Sequence, residues 1–181
     1  QKINLAEHTA VILTSRNAID HYFRICKEAR QVVPDTMKYF CTSEAIALYL
    51  QKYVVYRKRK IFFGGRKFPE VVELMKKHKK ENFLLPSADI LKSIVPDTLD
   101  EAGINYTRAI LYKTVVSDLS DLENVFYDML VFYSPAGIDS LFINFPDFKQ
   151  NDTKIAVFGD STKIAATEKR LVVNVAAPDH S

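Results

Sequence analysis

The sequence has few of the residue types on which metal centres, disulfide frameworks and membrane spans depend. Its 181 residues include two cysteines, four histidines and no tryptophan. The cysteines lack CxxC spacing, and the scattered histidines form no pattern of metal ligands. No apolar run approaches the roughly 20 residues of a membrane span, and the first residues show no signal-peptide pattern. We therefore expect a cytoplasmic protein that binds neither a metal nor a membrane.

The charge pattern also excludes several partners. A net charge of +3 is too small to indicate a nucleic-acid partner. Two basic runs, at residues 56–60 and 76–80, are typical of solvated faces and helix ends, although a weak attraction for an anionic ligand stays open. The glycine pair within residues 63–67 lacks the spacing of GxGxxG or a P-loop. No Ser-His-Asp, Cys-His or paired-carboxylate arrangement can be assembled, so the chemistry needs little from side chains.

The chain contains an internal duplication. Residues 11–23 align with residues 130–142, with Ser, Ile, Asp and Phe coinciding at an offset of 119. Residues 40–55 align with residues 158–173 at an offset of 118. This period is that of a small domain and is too long for a solenoid repeat. We predict two related lobes, residues 1–115 and residues 116–181, with a cleft between them that is a preferred place for a ligand.

Apolar runs alternate with amphipathic helical patterns along the whole chain. Continuous apolar runs are typical of parallel strands that are buried on both faces. Strict alternation of strand and helix indicates an α/β fold, and we expect each lobe to be flavodoxin-like. Both ends lie close to predicted strands, so we expect segments to be missing on both sides. The predicted strands are residues 9–14, 37–41, 60–63, 82–85, 106–115, 128–133, 154–158 and 171–175.

Small hydroxyl residues follow five of the predicted strands. Each one, taken alone, is explained by helix capping, which contributes about 1 kcal/mol. Taken together, they lie where parallel sheets bind ligands and where helix N-termini favour anions. Such a set would hold a ligand with many carboxylates or phosphates, and glycines there would let the backbone approach it. The candidate binding residues are Ser15, Ser43, Ser87, Ser134, Gly137, Gly159, Ser161 and Thr162.

Four short motifs carry a resemblance to a known family. They read L-T-S-R-N-A-I at residues 13–19, L-Y-K-T at 111–114, F-Y-S-P-A-G at 132–137 and F-G-D-S-T-K-I-A at 158–165. In order and spacing, over essentially the whole chain, this set resembles the uroporphyrinogen-III synthase family. That family shows T-S-x-x-A-V, V-Y-x-T, F-x-S-P-x-G and G-x-T/S-T-A-x-A. The chain departs from it at residues 41–44, where a glycine-rich turn reads C-T-S-E, and at Ser87, where a glycine is usual.

The resemblance implies both a fold and a reaction. The fold is two flavodoxin-like lobes joined by a two-stranded linker, with a further N-terminal strand and helix and a C-terminal helix. The reaction cyclises hydroxymethylbilane to uroporphyrinogen III, with loss of water and inversion of the last pyrrole ring, without metal or cofactor. Tyr112 matches the family tyrosine beside the linker and is the best candidate for a general acid, or else a structural aromatic residue. Arg16 joins the candidate binding residues. We expect a monomer, with the preceding pathway enzyme as a candidate partner.

One alternative from another class stays open at this point. The chain would be a non-catalytic, two-lobed binding protein for an anionic metabolite. A response-regulator receiver is excluded because its acidic cluster at the strand ends is missing and because it has a single lobe.

Overall fold

The structure, a computed structural model, describes residues 5–65 and 67–178. The chain divides into two compact units, residues 1–114 and residues 115–181, which we call unit 1 and unit 2. The predicted lobe boundary, between residues 115 and 116, lies one residue from this division. One covalent connection between the units is described, from Thr114 to Val115, and the second strand of the implied linker is not found within these ranges.

Within residues 5–65 and 67–114, unit 1 has five strands and four α-helices in strict alternation. Two short 3-10 helices, Leu5–Glu7 and Leu50–Lys52, complete it. The strand and helix bounds are β1 Ala10–Leu13, α1 Arg16–Glu28, β2 Lys38–Cys41, α2 Glu44–Tyr49, β3 Ile61–Phe63, α3 Phe68–Lys76, β4 Phe83–Ala88, α4 Ile94–Glu101 and β5 Tyr106–Tyr112.

The five strands of unit 1 form one parallel sheet in the order β3-β2-β1-β4-β5. Successive side chains of β1 enter two different cores. Val11 and Leu13 pack in one core, and Ala10 and Ile12 pack in the other. All four are fully buried, as expected for a strand covered by helices on both faces. The sheet is doubly wound. On the side of β1 away from β4 it has two strands, β2 and β3, where the flavodoxin order has one.

Unit 2 contains three strands and two α-helices. Its parallel sheet has the order β6-β7-β8, and α5 packs against α6. A separate core fills the space beneath these helices, with Ile138, Ile155 and Ala166 fully buried. The bounds are β6 Met129–Phe132, α5 Pro135–Asn144, β7 Lys154–Phe158, α6 Asp160–Glu168 and β8 Val173–Ala177, preceded by a 3-10 helix at Ser120–Leu122.

The α/β prediction and all eight predicted strands are confirmed, but β4, β5 and β8 differ from their predicted bounds by more than one residue. β5 ends at Tyr112, three residues before the predicted Val115. β4 continues three residues beyond the predicted Leu85 because it stays paired with β5 as far as Ala88. Ser87 therefore lies inside β4 and not at a strand-to-helix junction, which corrects the prediction. β8 begins two residues late because Leu171 first completes the end of α6, where its N–H donates to Ala166 O at 2.9 Å.

Candidate functional site

The sheet of unit 1 changes its winding direction between β1 and β4. Within the described ranges these strands pair at two positions, Ala10 with Phe83 and Val11 with Leu84. Both positions are near the amino ends, so the carboxyl ends are not paired with each other. Ligands of open α/β sheets bind outside the carboxyl ends of strands at such a reversal. The carboxyl edge of unit 1 is therefore the first candidate site.

Ser15 lies two residues after β1 and is the N-cap of α1. Its Oγ accepts a hydrogen bond from the N–H of Ala18 at 3.1 Å, so the capping interpretation is confirmed for this serine. The same Oγ lies 3.5 Å from the hydroxyl oxygen of Tyr112, a long contact that a small rotation of either side chain would shorten. Ser15 therefore connects the start of α1 with the end of β5.

Tyr112 is the last residue of β5 and is half-buried. Its ring stacks on the imidazole of His21 in α1, with the ring centroids 4.4 Å apart and the planes 16° apart. Arg24 donates to His21 Nδ1 from Nε and from Nη2, each at 3.3 Å. Sequence reasoning missed His21. The stack depends on α1 packing beside β5, a long-range contact for which no local motif exists.

Asp89 holds the backbone around Tyr112 in place. Its N–H donates to Tyr112 O at 3.1 Å, and its Oδ1 accepts from the N–H of Thr114 at 3.0 Å and of Ile90 at 2.9 Å. The hydrogen bond from Thr114 is the main cause that lowers the pKa of the Asp89 carboxyl below its usual value. We call Asp89 with its bonds to Tyr112 and Thr114 the Asp89 clamp.

Ser87 has a structural role in this unit. It is buried, with 1% of its surface exposed. Its Oγ donates to Ala88 O at 2.9 Å and accepts from Arg108 Nε at 2.9 Å. The Arg108 guanidinium also donates to the carbonyl oxygens of Ala88 and Asp89. The buried hydroxyl thus helps to join β4 to β5, and Ser87 is removed from the candidate binding residues.

Arg16 is exposed at the first position of α1, beside a cluster around Asp20. The Asp20 carboxylate accepts hydrogen bonds from Tyr49, Tyr53 and Lys52; these four residues are the Asp20 cluster. The hydrogen bond from Tyr53 is the main cause that lowers the pKa of Asp20, and those from Tyr49 and Lys52 act in the same direction. The Arg16 guanidinium lies 5.4 Å from the Tyr49 ring centre, which is a cation–π contact.

The other N-cap serines do not cap their helices. Ser43 begins α2 and Ser134 begins α5, and neither side chain makes the capping hydrogen bond. Ser134 repeats the extended backbone of Ser15, with φ of −158° at both, as the duplication predicts. The capping interpretation therefore does not account for the hydroxyls of Ser43 and Ser134.

The two glycines of unit 2, Gly159 and Gly137, differ in whether the structure requires a glycine at their position. Gly159 is the N-cap of α6 with φ of +79°, and its N–H donates to Ala177 O at 3.0 Å. This backbone conformation alone explains a glycine there. Gly137, in the first turn of α5, would place an added Cβ 3.4 Å from the Phe132 ring, so packing does not demand a glycine at this position.

The last two candidate residues lie inside α6 and not at a junction. Ser161 is in the first turn, because the N-cap of α6 is Gly159, two residues earlier than the alignment with the N-cap Ser43 predicts. Thr162 is 1% exposed, so its side chain faces the interior of unit 2 and not a cleft. An aromatic pair that sequence reasoning missed, Tyr133 and Phe158, stacks at the ends of β6 and β7 with centroids 4.8 Å apart.

A cavity of about 560 Å³ lies elsewhere in unit 2, between residues 119–127 and α5. Its walls are mostly apolar, and the two charged residues among them, Glu123 and Asp147, are acidic. An acidic, apolar cavity does not suit the polyanionic ligand that helix N-termini favour, so we do not place the site there.

The structure brings Ser15 and Tyr112 together and adds His21 to them. It places Arg16 at the start of the same helix. The prediction that candidate residues of both units share one cleft stays a prediction. Within residues 5–65 and 67–178, no group of three or more potential metal ligands is found, and no helix is long and apolar enough to cross a membrane.

Comparison with known proteins gives one family. A family model described as uroporphyrinogen-III synthase HemD matches residues 1–181. Among curated proteins, none matches the sequence significantly.

Solved structures show the same fold at low sequence identity. A uroporphyrinogen-III synthetase from Helicobacter pylori 26695 is similar with a TM-score of 0.70 and 20% identity, over 100% of this chain and 82% of the other. A mutant uroporphyrinogen III synthase from the extremely thermophilic bacterium Thermus thermophilus is similar with a TM-score of 0.58 and 12% identity, over 95% of this chain and 73% of the other.

Proposed function

The chain belongs to the uroporphyrinogen-III synthase family, and we propose that Tyr112 is the general acid of its reaction. The enzyme cyclises hydroxymethylbilane to uroporphyrinogen III, with inversion of the last pyrrole ring and loss of water. The reaction is a step of tetrapyrrole biosynthesis, and the substrate is a linear tetrapyrrole. No observation favours a non-catalytic binding protein.

The reaction needs only weak acid catalysis, together with accurate positioning of the two ends of the substrate. Loss of the terminal hydroxyl leaves an electrophilic azafulvene, which the opposite end of the chain attacks through a spiro intermediate. A weak acid near the departing hydroxyl is sufficient, since the substrate ionises readily. Most of the acceleration then comes from holding the two ends of a flexible molecule together. This requirement agrees with a site that offers one phenol and several backbone N–H groups.

The observation that carries the assignment of Tyr112 is its contact with Ser15 at the carboxyl edge of the sheet. Ser15 Oγ already accepts from Ala18 and lies 3.5 Å from the phenol oxygen. When the serine O–H donates to the phenol oxygen, the phenol proton is free to be donated to the departing hydroxyl. Ser15 therefore orients the proton of Tyr112 while it caps α1.

Binding of the substrate carboxylates would use cations and helix N-termini. Arg16 supports this because its guanidinium is held over a tyrosine ring and the neighbouring Asp20 is already bonded to three other side chains. The N-termini of α1, α5 and α6 add unpaired N–H groups and positive dipole ends. The remaining proposed binding residues are Ser43, Ser134, Gly137, Gly159 and Ser161, with Thr162 acting through its backbone N–H.

The decisive test of the reaction is an assay coupled to the enzymatic production of hydroxymethylbilane. We expect the type III isomer to exceed the type I isomer that forms spontaneously. A product mixture containing type I alone would contradict the function.

The test of the binding site compares Arg16, at the start of α1, with Arg30, which lies just beyond the end of the helix. Arg16→Gln removes a charge-assisted hydrogen bond of roughly 1.5–3 kcal/mol, so we expect KM to rise about tenfold or more with kcat nearly unchanged. Arg30→Gln, just beyond the opposite end of α1, is the matched control and should leave KM unchanged. Equal effects of both substitutions would mean that Arg16 acts only through the overall charge.

The proposal also covers the cellular compartment of the enzyme, its oligomeric state and the source of its substrate. We propose a cytoplasmic monomer that receives its substrate from the preceding pathway enzyme. The instability of the substrate supports direct transfer, and both cysteines are free, buried thiols, as expected in a reducing compartment. Sedimentation of the purified protein would test the monomer, and a change in the type III fraction on adding the preceding enzyme in excess would test transfer.

A further inference from the structure

We propose that His21 is a positioning residue of the synthase, which holds the phenol ring of Tyr112 in place by stacking against it. This inference rests on the proposed role of Tyr112 as the general acid. The two rings are 4.4 Å apart and nearly parallel, at 16°. His21 belongs to α1 and Tyr112 to β5, so the stack fixes the ring relative to a helix whose N-cap is Ser15.

The orientation of His21 is itself determined by its neighbours. Arg24 donates two hydrogen bonds to His21 Nδ1 and is held by Glu28, whose Oε1 lies 2.9 Å from Arg24 Nη1. A guanidinium has no acceptor, so Nδ1 is the acceptor of both hydrogen bonds from Arg24. The chain from Glu28 through Arg24 fixes the plane of the ring that Tyr112 meets.

Tyr112 needs such a support because its other contacts constrain it incompletely. The Asp89 N–H fixes its backbone oxygen, and Ser15 touches the hydroxyl at 3.5 Å. Neither contact fixes the rotation about the Cα–Cβ bond, which would swing the ring and move its hydroxyl, and the side chain lies half-buried at the end of an edge strand. A flat neighbour on one face of the ring restricts that rotation directly. The imidazole therefore keeps the phenol oxygen beside Ser15.

The effect on the reaction follows from how proton donation depends on geometry. A general acid must lie within hydrogen-bond reach of the departing group, and small misplacements are costly in rate. His21 would not touch the substrate carboxylates, so its loss should lower kcat and leave KM unchanged. An aromatic stack accounts for about a two- to tenfold change. More substrate would then cyclise spontaneously, and the type I fraction would rise at limiting enzyme concentration.

The experiment compares three replacements of His21 in the full chain. We expect His21→Ala and His21→Asn to lower kcat by about two- to tenfold and to raise the type I fraction, because neither offers a stacking ring. His21→Phe restores a ring without the imidazole nitrogens and should recover most of kcat. The matched control is His78→Ala. His78 also packs against aromatic rings, with its ring centroid 4.7 Å from that of Phe62, but it lies between α3 and β4 at the amino edge of the sheet, opposite the carboxyl edge where Tyr112 ends β5. It should keep the kcat of the wild type.

Two further measurements separate this inference from the proposal on which it rests. In a Tyr112→Phe background, His21→Ala should have no additional effect on kcat, because its effect passes through the phenol hydroxyl. Full activity of Tyr112→Phe would overturn the role of Tyr112 and this inference with it. With Tyr112 upheld, three results would overturn His21 alone. These are unchanged kcat in His21→Ala, an equal loss in His21→Phe, and a raised KM with normal kcat. Thermal unfolding midpoints, and kcat expressed per folded molecule, separate a loss of kcat in the His21 variants from misfolding.

Discussion

At the scale of single residues, one hydroxyl serves both the fold and the site. Ser15 caps α1 through Ala18 and contacts Tyr112 with the same oxygen. The capping and binding interpretations of this serine are therefore compatible, because a hydroxyl has one donor and two acceptor positions. Ser87 shows the opposite case, since Ala88 and Arg108 use its donor and one acceptor within a buried strand. Location separates the two, because Ser15 is the half-buried N-cap at a strand-to-helix junction whereas Ser87 is buried inside β4.

Replacing the candidate acid tests its role most directly. Tyr112→Phe removes one proton donor and keeps the ring, so we expect kcat to fall by about 10²-fold at most. Product affinity and thermal stability should stay near those of the wild type, since the carboxylates are bound elsewhere. Kinetics with hydroxymethylbilane, calorimetric titration with product and thermal unfolding give the three quantities.

The matched control for this substitution lies on the same strand. Tyr106→Phe changes the residue at the amino end of β5, opposite the site, and should leave kcat unchanged. If Tyr112→Phe retained the activity of the control, the tyrosine would be structural and the enzyme would work by positioning alone.

The two glycines of unit 2 should respond in opposite directions to alanine. Gly159 has φ of +79° and ψ of 152°, a region that side chains rarely adopt, so Gly159→Ala should lower the free energy of unfolding by about 1–3 kcal/mol. Gly137→Ala, within the first turn of α5, should stabilise the helix by roughly 0.5–1 kcal/mol. Denaturant titration measures both. An equal loss in the two variants would mean that contact of the added methyl group with the Phe132 ring outweighs the gain in helix propensity at Gly137.

At the scale of elements, the Asp20 cluster joins α1 to α2 and the 3-10 helix after it. The hydrogen bonds from Tyr53, Tyr49 and Lys52 lower the pKa of Asp20. A carboxyl group whose pKa is lowered in the folded state stabilises the protein at pH values above its unfolded-state pKa of about 3.9. This contribution is lost as the pH falls through the folded pKa. Because the cluster is largely exposed to solvent, its contribution should stay below about 1 kcal/mol.

The duplication supplies a control for this prediction. Asp20→Asn should lower thermal stability slightly at pH 7, and the difference from the wild type should shrink as the pH falls below about 3.9. Asp139→Asn changes the equivalent exposed residue of the second copy and should have little effect at either pH. Thermal unfolding at both pH values measures the difference. A constant difference for Asp20→Asn across this range would mean that its charge plays no part.

The elements also show how far the sequence could predict the site. Apolar runs predicted every strand of both sheets, because burial on two faces leaves a strong pattern. The ends of β4 and β8 were wrong because pairing with β5 and the cap of α6 depend on neighbours that the pattern does not reveal. For the same reason Ser15 and Tyr112 were found as separate candidates from their motifs, whereas His21 required the packing of α1 beside β5.

At the scale of the whole molecule, each unit carries its own core. The two clusters of unit 1 lie within residues 5–109 and the cluster of unit 2 within residues 132–171. A unit with two filled cores around a five-stranded sheet meets the requirements of an independent domain. We expect a fragment of residues 1–114 to fold alone, with a cooperative thermal transition and native-like circular dichroism. A fragment that unfolds gradually, or resists trypsin no better than a denatured control, would contradict this expectation.

The Asp89 clamp has a mechanical consequence for this architecture. Unit 1 ends at Thr114, two residues after the proposed acid, so any torque applied from Val115 onward reaches the backbone next to Tyr112. Asp89 bonds to that backbone on both sides, at Tyr112 O and at Thr114 N. These two hydrogen bonds restrain the backbone of residues 112–114 at the point where unit 1 ends. We therefore expect the position of the Tyr112 backbone to be set within unit 1.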